Sequence, residues 1–204
     1  MSGKSRNNDP ADAKSGLDSI VRAARDAAGK QLPPVHLWNP PHCGDIGMRI
    51  AADGTWFYRN SPIGRMALVK LFATILRKDP DGHVLVTPVE KVSVEVEDAP
   101  FVAVEMQREG DGGSQTLHFR TNVDDWAPAG PDHPMRFEPG PSGGLKPYIR
   151  VRADLWALVS RALFYDLVEL GETRMVDGQE MFGVASQGMF FAMAPAAELE
   201  TGDD

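Results

Sequence analysis

Four side chains of types that commonly bind metal ions lie close together in a proline-rich segment of the chain. They are His36, His42, Cys43 and Asp45. Thiolate, imidazole and carboxylate groups are suitable ligands for zinc or iron, but this spacing matches no known ligand pattern. His42 and Cys43 are adjacent, and adjacent side chains of an extended backbone point to opposite sides. We therefore expect no metal and no cofactor here.

Cys43 is the only thiol of the chain, and a histidine could activate it as a nucleophile. The candidate bases are His42 beside it and, further along the chain, His83, His118 and His133. The sequence places none of them against the thiol. Because free cysteine is among the most buried residue types, we expect Cys43 to be a small buried apolar side chain. No catalytic residue is assigned, and enzymatic activity is less expected than binding.

Arginines stand before two predicted helix starts. Arg59 and Arg65 bracket Ser61-Pro62, a pair typical of a helix N-terminus, where free N–H groups and the helix dipole favour an anion. Arg150 and Arg152 precede a second predicted helix. These arginines could hold a phosphate or a carboxylate. The alternative is that they form ion pairs with some of the 29 acidic residues.

The remaining candidate motifs are weaker. Trp38 and Trp56 either belong to the core, which we expect, or stack on a planar ligand. The common nucleotide-binding, hydrolase and metalloprotease signatures are absent from the sequence. The glycine-rich stretch at 140–144 lacks a following Lys-Ser and an adjoining helix, so it is interpreted as a flexible connector.

The composition is that of a globular protein, with 42% hydrophobic and 25% charged residues. The net charge of −8 opposes binding to nucleic acid polymers and to anionic membranes. A single cysteine excludes an intramolecular disulfide, and no apolar run follows the basic residues of the N-terminus. These features favour a cytoplasmic protein that does not bind membranes.

The hydrophobic pattern predicts two α+β halves. In the first half it predicts a helix near residue 20, a hairpin turned at Asp53-Gly54, a helix over 63–76 and four strands between 84 and 121. Val92, Val94 and Val96 alternate with polar residues, which indicates a half-exposed antiparallel sheet.

The second half is predicted to repeat the order of the first. Two strands lead to a helix capped by Asp154 that spans Leu155 to Leu167, and three short strands follow. Ala67-Leu68-Val69 aligns with Ala157-Leu158-Val159, although the repeat depends mainly on the order of elements. The alternative is one mixed domain. The predicted organisation is a tail at 1–16, domains at 17–128 and 129–197, and an acidic tail at 198–204.

Five motifs of the chain form a specific set. They are residues 33–45 (PPVHLWNPPHCGD), 53–58 (DGTWFY), 61–65 (SPIGR), 85–91 (LVTPVEK) and 98–101 (DAPF). As a set they resemble the bacterial family known as domain of unknown function 1285. The resemblance implies a cytoplasmic bacterial protein with a duplicated fold, whose second half is superficially similar to pleckstrin-homology domains. It also implies a ligand pocket where the two halves meet and a role in signalling. The family usually has Gly where this chain has Asn60.

We therefore predict a regulatory or signal-transduction protein that binds an anionic, nucleotide-like small molecule between its halves. A protein partner in signalling is a further expectation. The alternatives are a metal-assisted hydrolase that uses His42, Cys43 and Asp45, and a protein–protein adaptor. The residues expected to bind the ligand are Trp38, His42, Cys43, Asp45, Trp56, Arg59, Arg65, Glu90, Lys91 and Arg150.

Overall fold

A computed structural model of the chain describes residues 10–27, 32–140 and 144–199. The chain divides into two compact domains, Met1–Glu97 and Asp98–Asp204. Each domain contains a six-stranded sheet and a packed helix, so the fold is α+β with duplicated halves, as predicted. No helix within the described ranges has both the length and the hydropathy needed to cross a membrane.

The first domain is built on one mixed sheet with the strand order β3-β2-β1-β6-β5-β4. All its neighbouring strands are antiparallel except the central pair, β1 and β6, which is parallel. The strands are β1 (His42–Ile50), β2 (Trp56–Tyr58), β3 (Ser61–Pro62), β4 (Leu76–Asp79), β5 (Gly82–Val86) and β6 (Lys91–Val96). The hairpin at Asp53-Gly54 and the exposed face of β6 are confirmed.

Two helices accompany this sheet, α1 (Pro10–Ala27) and α2 (Met66–Thr74). Helix α2 buries Val69 and Phe72, and the Phe72 ring stacks on Trp56 with 6.2 Å between the ring centroids. Trp56 is therefore a core residue, as the preferred interpretation held. A 310 turn, Val35–Leu37, precedes β1. The four prolines of residues 33–41 predict that the proline-rich segment is not a central strand. Its end at 42–45 nevertheless forms part of central strand β1, because all four prolines precede His42.

The second domain has a sheet with the strand order β10-β11-β12-β7-β8-β9, and its central pair, β7 and β12, is again parallel. Its strands are β7 (Phe101–Glu109), β8 (Thr116–Thr121), β9 (Trp126–Pro128), β10 (Met135–Pro139), β11 (Leu145–Arg152) and β12 (Leu155–Val159). A 310 turn, Gly112–Ser114, lies between β7 and β8. Helix α3 (Arg161–Glu169) follows β12.

A small antiparallel sheet completes the second domain. It contains the three short strands predicted near the C-terminus, β13 (Glu172–Val176), β14 (Gln179–Ser186) and β15 (Met189–Pro195), followed by α4 (Ala196–Leu199). The buried Ser186 hydroxyl joins β14 to β8 and β9, since its Oγ accepts a bond from Leu117 N at 2.9 Å and donates to Ala129 O at 2.7 Å. The first turn of this sheet uses Asp177-Gly178, both with positive φ.

The duplication lies in the strand order rather than in the tripeptide match. Counted along each domain, both six-stranded sheets have the order 3-2-1-6-5-4. Ala67-Leu68-Val69 lies in helix α2, whereas Ala157-Leu158-Val159 lies in strand β12, so these tripeptides are not equivalent. The helix follows the third strand in the first domain and the sixth strand in the second.

Several predicted boundaries differ from the structure. The domains divide after Glu97 and not after residue 128, because β7 and β8 join the sheet of the second domain by the pairing of β7 with β12. Leu155–Val159 is a strand with every second residue buried, so α3 begins only at Arg161. Ser61–Pro62 forms edge strand β3, and α2 begins after it with Arg65 as the N-cap residue.

Candidate functional sites

The second domain contains a cavity of about 540 Å³ beside α3. One wall comes from β11 and β12 and the other from the first turns of the helix. Among the described residues that line it, the side chains are apolar, aromatic or cationic, and none is acidic. The lining residues are Gly140, Gly144, Leu145, Lys146, Pro147, Leu158, Val159, Arg161, Phe164 and Tyr165.

Lys146 is held in this wall by a carboxylate. Its Nζ donates a hydrogen bond to Asp98 Oδ2, and the hydroxyl of Tyr148 donates to Asp98 Oδ1 at 2.6 Å. The bond to Asp98 raises the pKa of Lys146, and burial raises the pKa of Tyr148. Lys146 is therefore a fixed cation, and Asp98 compensates its charge.

Arg161 is the second cation of the cavity. Its Nε donates to the Tyr165 hydroxyl at 3.1 Å, and its guanidinium lies 5.7 Å from the centroid of the Tyr165 ring. Among the residues that the structure describes, no carboxylate pairs with Arg161. The cavity thus carries one uncompensated positive charge beside two aromatic rings, Phe164 and Tyr165.

In the first domain, the outer face of the sheet carries a charged network. Asp79 accepts two bonds from Arg77, at 2.6 and 3.0 Å, and one from Lys91 Nζ at 3.0 Å. The Arg77 bonds hold the pKa of Asp79 below its usual value of 3.8. Arg77 also donates to the carbonyl oxygens of Val35 and Trp38, at 2.6 and 2.7 Å. The network therefore fastens the proline-rich segment to β4.

His42 and Lys91, both predicted to bind the ligand, line one cavity of about 190 Å³ on this outer face. His42 Nε2 lies 2.9 Å from the hydroxyl oxygen of Ser93. Ser93 was not among the predicted site residues, because its alternation with the valines of β6 indicated only an exposed strand face. Asp79 and His83 line the same cavity.

Trp38 and Glu90 do not line the cavity of His42 and Lys91. Trp38 borders a groove of about 690 Å³ between α1 and the turn at Pro88 and Val89. Glu90 Oε1 accepts a bond from the hydroxyl of Ser19, a lining residue of this groove, at 2.7 Å. The charged residues of the groove are Asp18, Arg22 and Asp26, so its lining has a net negative charge.

The other residues predicted near His42 do not converge on one point. Cys43 is exposed, so the expectation of a buried thiol is wrong, and its sulfur lies 3.7 Å from the Pro41 carbonyl. Asp45 Oδ1 accepts a bond from Gly47 N at 2.7 Å. Over residues 10–27, 32–140 and 144–199, no group of three His, Cys, Asp or Glu side chains is arranged to hold a metal ion.

The predicted arginines occupy separate positions. Arg59 has a positive φ of 47° in the turn before β3, and its guanidinium lies 5.6 Å from the Tyr58 ring centroid. Arg65 is exposed at the start of α2. Arg150 donates two bonds to the Asp132 carbonyl, the shorter of 3.0 Å. The core position of Trp56, with 1% of its surface exposed, leaves its ring without access to a dissolved ligand.

The cavity beside α3 was missed by the sequence analysis. Lys146 and Arg161 lie on different elements, and they line one cavity because β11 pairs with β12 directly before the helix. The aromatic pair Phe164-Tyr165 one turn after Arg161 was the available signal, since i and i+4 positions share one helix face. The incorrect start of the helix at Asp154 hid only that Arg161 is the first residue of α3.

Comparisons with known proteins agree on one family. Family models described as the N-terminal and C-terminal domains of DUF1285, of unknown function, match residues 33–99 and 100–193. A DUF1285 family protein from Silicibacter pomeroyi DSS-3 is 50% identical, covers 89% of this chain and 97% of its own, and has a TM-score of 0.81. A DUF1285 family protein from Shewanella baltica OS155 is 30% identical and has a TM-score of 0.48. The match covers 60% of this chain and 91% of the Shewanella chain. No curated protein matches. The two family models together match residues 33–193, and with the 50% identical protein they show that the chain belongs to the DUF1285 family.

Proposed function

We propose that the protein is a regulatory ligand-binding protein whose second domain binds an anionic, nucleotide-like small molecule in the cavity beside α3. The observation that carries the proposal is the lining of this cavity. Its described residues include two cationic side chains and two aromatic rings, and none of them is acidic. Its volume of about 540 Å³ is in the range typical of ligand pockets. The ligand site that the sequence predicts where the two halves meet remains a prediction.

The charge distribution favours an anion. Asp98 compensates Lys146, so Arg161 supplies the net positive charge that an incoming phosphate or carboxylate would meet. A guanidinium can donate two parallel hydrogen bonds to such a group. Phe164 and Tyr165 offer aromatic surface to a planar ring, which is the second part of a nucleotide.

A role in bacterial signal transduction, a cytoplasmic location and a protein partner belong to the same proposal. The exposed single thiol supports a reducing compartment, since an exposed free cysteine is prone to oxidation elsewhere. A metal-assisted hydrolase is less well supported, because His42, Cys43 and Asp45 contact three different neighbours.

The test is ligand binding by the full chain and by two arginine variants. Thermal unfolding and calorimetry are measured with ATP, GTP, AMP, pyrophosphate and inorganic phosphate. A ligand at 100 times its Kd stabilises the folded protein by about 2.7 kcal/mol, which raises Tm by about 5 to 10 °C for a chain of this size. Arg161→Ala removes charged hydrogen bonds of about 1.5–3 kcal/mol, so Kd rises by about 10- to 150-fold.

Arg65→Ala is the matched variant, since Arg65 is the arginine that the sequence analysis placed at the ligand. If Arg161→Ala weakens binding and Arg65→Ala does not, the cavity of the second domain is the site. The reverse result places the ligand at the site predicted from the sequence and refutes the cavity. If none of the five compounds raises Tm, the nucleotide-like class is refuted.

A further inference from the structure

The outer face of the first-domain sheet brings a hydroxyl and an imidazole into contact. His42 is the first residue of β1, and Ser93 lies in the middle of β6, the parallel neighbour of β1. The distance from His42 Nε2 to Ser93 Oγ is 2.9 Å. Hydrogen-bonding contact between a hydroxyl and a base is the geometric requirement for an activated nucleophile.

An irregularity in β1 creates this contact. His42 is in register with Lys91 and Asp45 with Ser93, so β1 uses one residue more than β6 over this interval. Gly44, with a φ of +89°, lies within the interval and adopts a backbone conformation that other residues rarely adopt. Bulges of this kind redirect side chains and occur often beside active sites.

The contact lies in a charged environment at the protein surface, where His42 is exposed. Ser93 is half-buried, and the cavity that it shares with His42 has a volume of about 190 Å³. Lys91 lines the same cavity, and its side chain is 22% exposed and bonded to Asp79. Asp79 and Asp81 line the cavity as well, and Asp79 compensates the charge of Lys91, so Lys91 offers a developing oxyanion a hydrogen-bond donor and no net positive charge.

We propose that Ser93 is a nucleophile, that His42 is its general base, and that the first domain hydrolyses small carboxylic esters. His42 Nε2 takes the hydroxyl proton while Ser93 Oγ bonds to the ester carbonyl carbon. The bond from this carbon to the leaving oxygen then breaks, and the alcohol leaves with the proton from Nε2. The product is an acyl-serine.

Water completes the cycle. His42 Nε2 takes a proton from water as the hydroxide oxygen bonds to the acyl carbon. The bond to Ser93 Oγ breaks, Oγ regains the proton, and a carboxylic acid leaves. One ester and one water thus give one acid and one alcohol. The small volume of the cavity restricts the acyl group to a short one such as acetyl.

The inference is tested on the full chain with a fluorophosphonate reagent and with p-nitrophenyl acetate. We expect one serine to be labelled, which peptide mapping identifies as Ser93, and an acetyl group to appear on the same residue during turnover. Ser93→Ala abolishes both signals. His42→Gln keeps a polar side chain but removes the base, so labelling slows by about 10²-fold or more.

Ser61→Ala is the matched control, because Ser61 is an exposed serine of edge strand β3 in the same sheet. It is expected to react like the wild-type protein. Unlabelled wild-type protein, or undiminished labelling of Ser93→Ala, overturns the proposal. If Ser93→Ala has a lowered Tm, His42→Gln decides the matter, since equal labelling rates in this variant and the wild type exclude His42 as the base. The outcome is independent of Arg161.

Discussion

Replacing Asp79 by asparagine is expected to destabilise the first domain strongly. Asp79 accepts three hydrogen bonds from Arg77 and Lys91, and the side chains of Asp79 and Arg77 are each only 16% exposed. Asparagine keeps the shape but leaves two cations without their counter-charge. Removing one partner of a fully buried ion pair costs 3–5 kcal/mol, whereas an exposed pair is worth below about 1 kcal/mol. For this partly buried network we expect a loss of about 3 kcal/mol.

The measurement is equilibrium unfolding in urea by tryptophan fluorescence. Replacing Trp126 and Trp156 by phenylalanine leaves Trp38 and Trp56, so that the signal reports the first domain. With a urea m value of about 1.5 kcal/mol/M, a loss of about 3 kcal/mol lowers the midpoint by about 2 M. Asp81→Asn is the matched control, because Asp81 is an exposed carboxylate two residues away. We expect no comparable change from it.

The pH dependence gives a second readout of the same network. The pKa of Asp79 is lower in the folded state than its ordinary value of 3.8. A depressed folded pKa contributes stability that is fully present above the unfolded pKa and is lost as the pH falls through the folded pKa. The difference in unfolding free energy between the wild type and Asp79→Asn must therefore become smaller in acid. Equal urea midpoints of the two proteins at pH 7 would refute the reasoning, and so would a stability difference that stays constant into strong acid.

Three further predictions concern packing and exposure. Ser186→Ala should lower the unfolding free energy of the second domain by about 2–3 kcal/mol in urea, because Leu117 N and Ala129 O lose their buried hydrogen-bond partner. Ser114→Ala is the control, and because Ser114 is exposed it should change the unfolding free energy little. Gly183→Ala should destabilise this domain and lower its Tm, since the new Cβ would lie 2.3 Å from the backbone oxygen of Phe191. Gly130→Ala, which meets mainly the movable Gln187 side chain, should cost less. Cys43 should react stoichiometrically with a disulfide reagent in the folded protein, and a thiol that reacts only in denaturant would contradict its exposure.

The local elements were largely predictable from the sequence. Asp-Gly pairs predict tight turns because both residue types tolerate a positive φ, and Gly54, Asp177 and Gly178 adopt one. The alternation of valines with polar residues in β6 predicts which face of the strand is buried. Short apolar runs were not predictable, because Leu155–Val159 suits a buried strand as well as a helix. The pairing of β7 with β12 decides between them, and it joins segments that are distant in the chain.

The candidate sites were less predictable than the elements. His42 and Lys91 were expected to bind a ligand, and they do line one cavity. The contact of His42 with Ser93 depends on the register shift in β1, which no local sequence pattern shows. Arg161 and Lys146 line one cavity because β11 pairs with β12. Local signals thus indicated single residues, while the cavities depend on the register between strands.

The strand order shared by the two domains limits how the chain can be shortened. In each six-stranded sheet the earliest and the latest strand are central neighbours, β1 with β6 and β7 with β12. Removal of the first or the last strand of either six-stranded sheet therefore deletes an inner strand and exposes two unpaired strand edges at once. Such fragments would be prone to aggregation. Exopeptidase digestion past these strands should leave no stable core fragments of intermediate length.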